Sequence, residues 1–391
     1  MPIEQSTVAS FKPLGDYKAP SLPAADTLQL LGERLRLLFS KPDDKPFIAD
    51  DRLHRSTLKM LDEVVAPPAC GPLLEELQAT LEGWVTQREP LSWLKLIVLP
   101  PGDENGVVET WASAQGHEIL PPPDRSDLIS AAGVELPKLT GEGVLVIPQL
   151  ERWFLRHRNG LHAVRQLLAE LDVTKRHCLV SCNSWAWAFL CKAVGADLIL
   201  PDALTFEAYD AERLHGWFSQ LSEASTHTDL RFRLTQNGED VMMLKGEDKD
   251  AHEYFTRLAA RSLGIPWVAW RLWRRSLRSS SDDDEADSEV KAVAQDDGHT
   301  LWVSALEEFS LPGGAHNEAA LLVLHAILIH GAITLEELRA VLPLVGESNI
   351  LSALISAGLV ERKDRQVTCF PAAYPAIRSG LATAGFSMDK L

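Results

Sequence analysis

The sequence predicts an α/β fold, a parallel-sheet core with helices on both faces, followed by a smaller C-terminal domain of three helices and a two-stranded hairpin. Three observations carry this reading. Strand-like and helix-like segments alternate from Trp93 to Leu200, the order expected of a parallel sheet built from crossover connections. The apolar run Leu94–Leu99 enters Pro100-Pro101-Gly102-Asp103-Glu104-Asn105-Gly106, a strand feeding a glycine-containing turn ahead of a helical pattern. Beyond the acidic run Ser279–Asp287, three short helical patterns precede two short segments of alternating character.

At 391 residues the chain is long enough for two or three domains, each with its own core. Hydrophobic residues at 46% and charged residues at 24% place it among globular rather than disordered chains. No apolar run reaches the ~18 residues that span a bilayer, and Met1-Pro2-Ile3-Glu4 lacks the basic-then-apolar order of a signal peptide, so a cytoplasmic protein is expected. The net charge of −17 opposes non-specific attraction to nucleic acid or anionic lipid. Cys70, Cys178, Cys182, Cys191 and Cys369 are odd in number, scattered and without paired C-x-x-C spacing, which predicts reduced thiols and no metal site.

Element by element, residues 1–25 read as an irregular arm with Pro13, Pro20 and Pro23, followed by helices over Thr27–Leu38 and Leu73–Val85. Strands are expected at Trp93–Leu99, His117–Leu120, Gly143–Ile147, His177–Asn183 and Asp197–Leu200. Helices are expected at Val107–Gln115, Leu150–Leu171 and Trp185–Val194. Glu212–Leu221, His252–Leu263 and Pro266–Leu277 read as a helical domain. Glu318–Ile329, Thr334–Val341 and Ser348–Ala357, with a hairpin of Leu359–Arg362 and Gln366–Phe370, make a winged-helix arrangement. The expected divisions are 1–70 for the N-terminal arm and helices, 71–203 for the α/β core, 204–278 for a helical lid, 279–299 for an acidic linker and 300–391 for the winged helix.

A working P-loop needs glycine for close backbone approach, a lysine for the β and γ oxygens and a Ser/Thr hydroxyl for Mg²⁺. Here the lysine slot reads Asn105 and the hydroxyl slot Gly106. After Gly102, Asp103 and Glu104 add negative charge where a triphosphate would lie. Read alone, Pro100–Asp103 is equally a plain strand-to-helix turn.

Taken with the order of elements from about residue 70 onward, this stretch resembles the AAA+ ATPases that carry a C-terminal winged helix. The resemblance implies acidic Walker B residues after the third strand, where Ile147-Pro148-Gln149-Leu150-Glu151 puts Pro148 and Gln149 in the acidic slots and leaves Glu151 as the nearest carboxylate. It implies a polar sensor 1 at the end of the next strand, matched by Asn183; capping of the following helix explains that residue as well. It also implies a lid-domain sensor arginine, with Arg271 or Arg274 as candidates, and a basic group reaching a neighbouring subunit, with Arg152, Arg156 and Arg158 as candidates. With Trp267–Arg278 read as helical, Arg271, Arg274, Arg275 and Arg278 fall at i, i+3, i+4 and i+7 on one face, and a solvated face accounts for them too.

The expected function is therefore an AAA+-like pseudo-ATPase without catalytic residues, metal or obligate cofactor, acting as a regulatory or scaffolding subunit. Its partner would be a protein, either an active AAA+ relative or further copies of itself. Two alternatives remain open on the residues: a switch that binds ATP or ADP weakly through Asn105 and Asn183, and a DNA-binding initiator-like protein. Against the last, the segment in the place of a recognition helix, Ser348–Ala357, has no Lys or Arg.

Overall fold

The computed structural model describes residues 11–22, 53–55, 71–130, 134–136, 138–223, 230–244, 250–280, 300–313, 317–343 and 349–391. The helix expected at Thr27–Leu38, Cys70 and residues 281–299 of the acidic linker lie outside the described residues. The chain divides into two compact units, one of Met1–Lys18, Cys70–Glu207 and Phe309–Leu391, the other of Ala19–Ala69 and Ala208–Glu308.

The first unit is built on a sheet of β1 (Lys12–Pro13), β3 (Leu94–Leu99), β4 (Glu118–Ile119), β5 (Leu145–Ile147), β6 (Cys178–Asn183) and β7 (Leu204–Thr205), in the order β1-β7-β3-β6-β5-β4. All neighbours are parallel except β1, which runs antiparallel along the β7 edge. Leu96, Ile97, Val98, Leu179 and Val180 are buried because β3 and β6 lie in the middle of the sheet, which is why these strands are continuously apolar. The crossovers are α1 (Leu73–Val85), α2 (Val107–Ala114), the short α3 (Arg125–Leu128), α4 (His162–Val173) and α5 (Ser184–Val194). Parallel strands all end on one side. The 100–106 loop, the 148–152 turn and Asn183 therefore gather at one edge, where ligands of open α/β sheets bind.

The expected fifth strand at Asp197–Leu200 is corrected. Gly195 adopts φ +67° at the end of α5, the chain turns through a 3-10 segment at Ala196–Leu198, and the strand beside β3 is Leu204–Thr205, itself flanked by β1. Leu198 is exposed, so its apolar character was not a burial signal. The expected helix Leu150–Leu171 is likewise divided into a 3-10 turn at Leu150–Arg152 and α4, with an irregular stretch between them.

The C-terminal part of this unit comprises α9 (Asn317–His330), β11 (Ile333–Thr334), α10 (Leu335–Val341), α11 (Ile350–Ser356), β12 (Val360–Lys363), β13 (Gln366–Cys369) and α12 (Tyr374–Thr383), with sheet order β11-β13-β12. Strand order and element succession together give the parallel α/β core and the C-terminal winged-helix arrangement expected from the sequence. α10 starts from a capping box: Thr334 Oγ1 accepts from Glu337 N at 3.2 Å, and Glu337 Oε2 accepts from Thr334 N at 2.8 Å. α9 is apolar around nearly its whole circumference, with Val323, Leu324, Ala326, Ile327, Leu328 and Ile329 all buried. A helix of that composition needs cover on every side; α9 is held between the other winged-helix elements and α5 of the core.

The second unit corrects the expected helical lid. It contains a sheet of β2 (Leu53–Arg55), β8 (Arg231–Leu234), β9 (Leu277–Ser280) and β10 (Thr300–Val303), in the order β2-β9-β10-β8, with α6 (Ala211–Glu223), α7 (Glu253–Arg261) and α8 (Pro266–Ser276). Divisions at 278 and 300 would cut that sheet, since Arg278 pairs with Trp302 and Thr300 with Arg231. Phe218, Phe232, Trp270 and Trp273 pack ring to ring as its core, with Phe218 and Trp273 stacked at 4.6 Å. Trp217 and Trp302, like Trp153 in the first unit, are buried.

Candidate functional site

The loop after β3 closes on its own carboxylate. Gly102 (φ +90°) and Gly106 (φ +57°) take left-handed conformations that turn the chain into α2, and Asp103 sits between them. Its Oδ2 accepts from Val107 N at 2.8 Å and its Oδ1 from Asn105 N at 3.2 Å. A helix N-terminus offers N–H groups and positive dipole to an anion, and in this chain Asp103 is that anion. Burial pushes its carboxyl up to about 6, against the backbone N–H bonds that favour the ionised form.

That shift has a measurable consequence. A carboxyl raised in the folded state from 3.8 to about 6 stabilises the fold in its protonated form. The contribution is complete below about pH 4 and is lost as the pH rises through about 6. Asp103→Asn keeps an acceptor for the helix without the charge, so urea unfolding should show it more stable than the native chain by about 1–2 kcal/mol at pH 8, with the difference vanishing toward pH 4.

At the ends of β5 and β6 stand Glu151 and Asn183. Asn183 caps α5, its Oδ1 accepting from Ala186 N at 2.8 Å, which is the capping role the sequence allowed for. Glu151 Oε2 accepts from Asn183 N at 3.1 Å, and burial raises its carboxyl above the usual range. Behind Glu151 lies Arg125, which is buried. Its Nη2 donates to the carbonyls of Glu151 (3.1 Å) and His330 (2.6 Å), and its Nη1 donates to the carbonyl of Ala332 and lies 3.5 Å from Glu337 Oε2.

The winged helix thus reaches the strand ends directly. Gly331, at φ +68°, turns the chain immediately after α9, and a Cβ there would lie 3.7 Å from Glu151 Cγ and 3.8 Å from Asn183 Nδ2. His330 is fully buried, its Nε2 accepting from Arg156 N at 3.4 Å; burial and the neighbouring Arg125, Arg156 and His325 keep it neutral. From the hairpin, Lys363 pairs with Glu104 and lies 3.3 Å from Glu361. Ser184 Oγ and Tyr374 OH both donate to buried Asp389 Oδ2, at 2.6 and 2.9 Å, and Arg378 Nε donates to Oδ1 at 3.1 Å, so the end of the chain is tied to the start of α5.

Between the loop, the strand ends and the winged helix is a cavity of about 320 Å³. Its carboxylates are Asp103, Glu104, Glu109, Glu151 and Glu361, against the cations Arg152 and Lys363. Gly102, Gly106, Gln149 and Asn183 also line it, so the structure gathers these predicted residues in one place; Asn105 lies in the same loop. Among the described residues, no group of three or more His, Cys, Asp or Glu side chains is arranged to hold a metal ion.

The arginines divide. Arg152 lines the cavity, Arg156 does not line it but donates its backbone N–H to His330 Nε2, and Arg158 is exposed. Arg271 and Arg274 belong to the second unit. Arg274 is buried, its guanidinium 5.3 Å from the Trp270 ring centroid, and Arg275 pairs with Glu307. The expectation of four guanidiniums on one helical face is corrected: α8 ends at Ser276, Arg278 lies in β9 and Arg274 is packed inward.

The fold and site define an α/β protein with a strand-loop-helix anion site closed by its own aspartate and an acidic cavity covered by a winged helix. No family model matches the sequence, and no curated protein matches it. Solved structures similar to it include a RuvB mutant of Thermotoga maritima, with 17% identity over 78% of this chain and 92% of that chain at a TM-score of 0.32. Cdc6p of Pyrobaculum aerophilum gives 12% identity, 81% and 94% coverage and a TM-score of 0.25; the ORC2 protein of Aeropyrum pernix gives 14%, 96% and 99%, and 0.25.

Arg125, His330 and Gly331 contribute to the site, and Asp389 ties the segment after α12 to α5, without having been singled out from the sequence. One signal was present: 319–329 is apolar but for His325, so little of this helix's circumference is suited to solvent.

Proposed function

We propose that the chain is an AAA+-like pseudo-ATPase that serves as a regulatory or scaffolding subunit through protein–protein contacts. The observation that supports this most is Asp103. Its carboxylate takes the N–H groups a phosphate would need, in a cavity whose other carboxylates repel a triphosphate. Phosphoryl transfer depends on positioning and on neutralising charge, and the Walker positions here supply Asn105, Gly106, Pro148 and Gln149. Arg152, Arg156 and Arg158 are the residues proposed to contact a neighbouring subunit, and Arg271 and Arg274 remain the proposed sensor positions. The divisions proposed for the 71–203 core and the winged helix keep the cavity within one unit.

A rebuilt loop tests the reading. Asn105→Lys with Gly106→Thr restores the lysine and hydroxyl of a P-loop but leaves Asp103 in place. It should show no ATP hydrolysis above background, and it should be less stable by about 1–2 kcal/mol because a Thr replaces glycine in the left-handed region. Hydrolysis by the native chain at an ordinary ATPase rate would overturn the proposal.

A further inference from the structure

The second unit has a cavity of its own, of about 420 Å³, which the proposed function leaves unused. It opens where β8 and β10, a parallel pair, both end, the chain passing from Leu234 into Thr235 and from Val303 into Ser304. Crevices at the carboxyl ends of parallel strands are where α/β sheets hold small molecules. Thr235 is the residue that points to a ligand. It lines the cavity and is 5% exposed; its N–H donates to Val303 O at 3.0 Å, while its Oγ1 makes no hydrogen bond with any described residue. Nor is that oxygen among the polar atoms sealed inside the protein, so a molecule in the cavity can reach it. Buried hydroxyls normally find a partner.

Opposite charges join the walls in pairs. Arg261 Nη2 lies 2.6 Å from Glu308 Oε1, tying α7 to the segment after β10, and His252 Nε2 lies 3.1 Å from Glu239 Oε2, tying the start of α7 to the turn after β8. Arg257 pairs along α7 with Glu253. The three carboxylates are half-exposed, and ion pairs of that kind are cheap to open. A ligand that covers the opening changes this, because the member of a pair left behind then loses water as well as its partner. An anion taking Arg261 isolates Glu308, and a cation taking Glu308 isolates Arg261. A molecule with both charges satisfies both.

We propose that this cavity binds a small zwitterion of the α-amino-acid class. Its carboxylate takes Arg261 and the hydroxyl of Thr235, its ammonium takes Glu308, and an aliphatic side chain lies against Leu234, Val303 and Leu306, which supply the apolar wall. The volume of about 420 Å³ is that of a small-molecule pocket. Every residue invoked belongs to the second unit, so the inference stands or falls separately from the pseudo-ATPase reading.

The full chain is titrated by calorimetry with L-leucine and, in parallel, with isocaproate, which lacks the ammonium, and isoamylamine, which lacks the carboxylate. The expected result is saturable binding of leucine at millimolar concentration or below, with either singly charged analogue weaker by about tenfold or more. Thr235→Val should weaken leucine about fivefold, and Thr235→Ser, which keeps a hydroxyl, should retain most of the affinity. Neither change should lower the thermal stability of the free chain, since no bond of the folded protein uses that hydroxyl. Arg261→Gln should reduce leucine to the level of the amine. Absence of saturation by leucine, equal saturation by either analogue, or leucine binding that Thr235→Val and Arg261→Gln both leave untouched overturns the inference.

Discussion

Arg125→Ala is expected to destabilise the first unit by about 3–5 kcal/mol, as removal of one partner from a buried charged network does. The arginine donates to three backbone carbonyls, those of Glu151, His330 and Ala332, and stands beside Glu337. Burial lowers its pKa while Glu337 offsets part of that cost. Truncation would leave three carbonyls without their donor and Glu337 with only its bond from Thr334 N. Two of those carbonyls lie at the end of α9 and one in the turn after β5, so the loss falls on the join between winged helix and core. Urea unfolding followed by tryptophan fluorescence measures it; Arg125→Lys, which cannot reach three acceptors with a planar fork, should recover only a minor part.

The second large effect is at Asp389. Asp389→Ala removes the acceptor of Ser184 Oγ, Tyr374 OH and Arg378 Nε and leaves a guanidinium without its carboxylate beside a buried phenol that keeps only the bond it accepts from Trp185 Nε1. The expected cost is about 3 kcal/mol. Asp389→Asn keeps an acceptor geometry without the charge and should cost less, about 1–2 kcal/mol. In a double-mutant cycle with Ser184→Ala the two changes should be non-additive, since the residues share one bond.

What the sequence made legible follows from where its signals are local. β3, β6, α2 and α5 were readable because continuous apolar runs and helical periodicity lie within a few residues of each other, and Asn183 stands where a cap belongs. That the loop after β3 carries no lysine or hydroxyl behind Gly102 was readable from residue types alone. Its closure by Asp103 was not, because it depends on the left-handed turns at Gly102 and Gly106 that aim the carboxylate at Val107 N. The sheet of the second unit escaped notice because β8, β9 and β10 pair across more than forty residues of chain between Leu234 and Leu277 and a further polar stretch, and short strands leave little periodicity. Arg125 was invisible for the same reason: two of its three carbonyl partners, those of His330 and Ala332, are 205 and 207 positions away.

The most direct test is isothermal titration of the native chain with ATP and ADP, with and without Mg²⁺. Asp103 holding the α2 N–H groups, within an acidic cavity, predicts no saturable heat with either nucleotide at millimolar concentration. Micromolar, Mg²⁺-dependent binding of ATP would mean that Asp103 yields its place to phosphate, and would contradict the account.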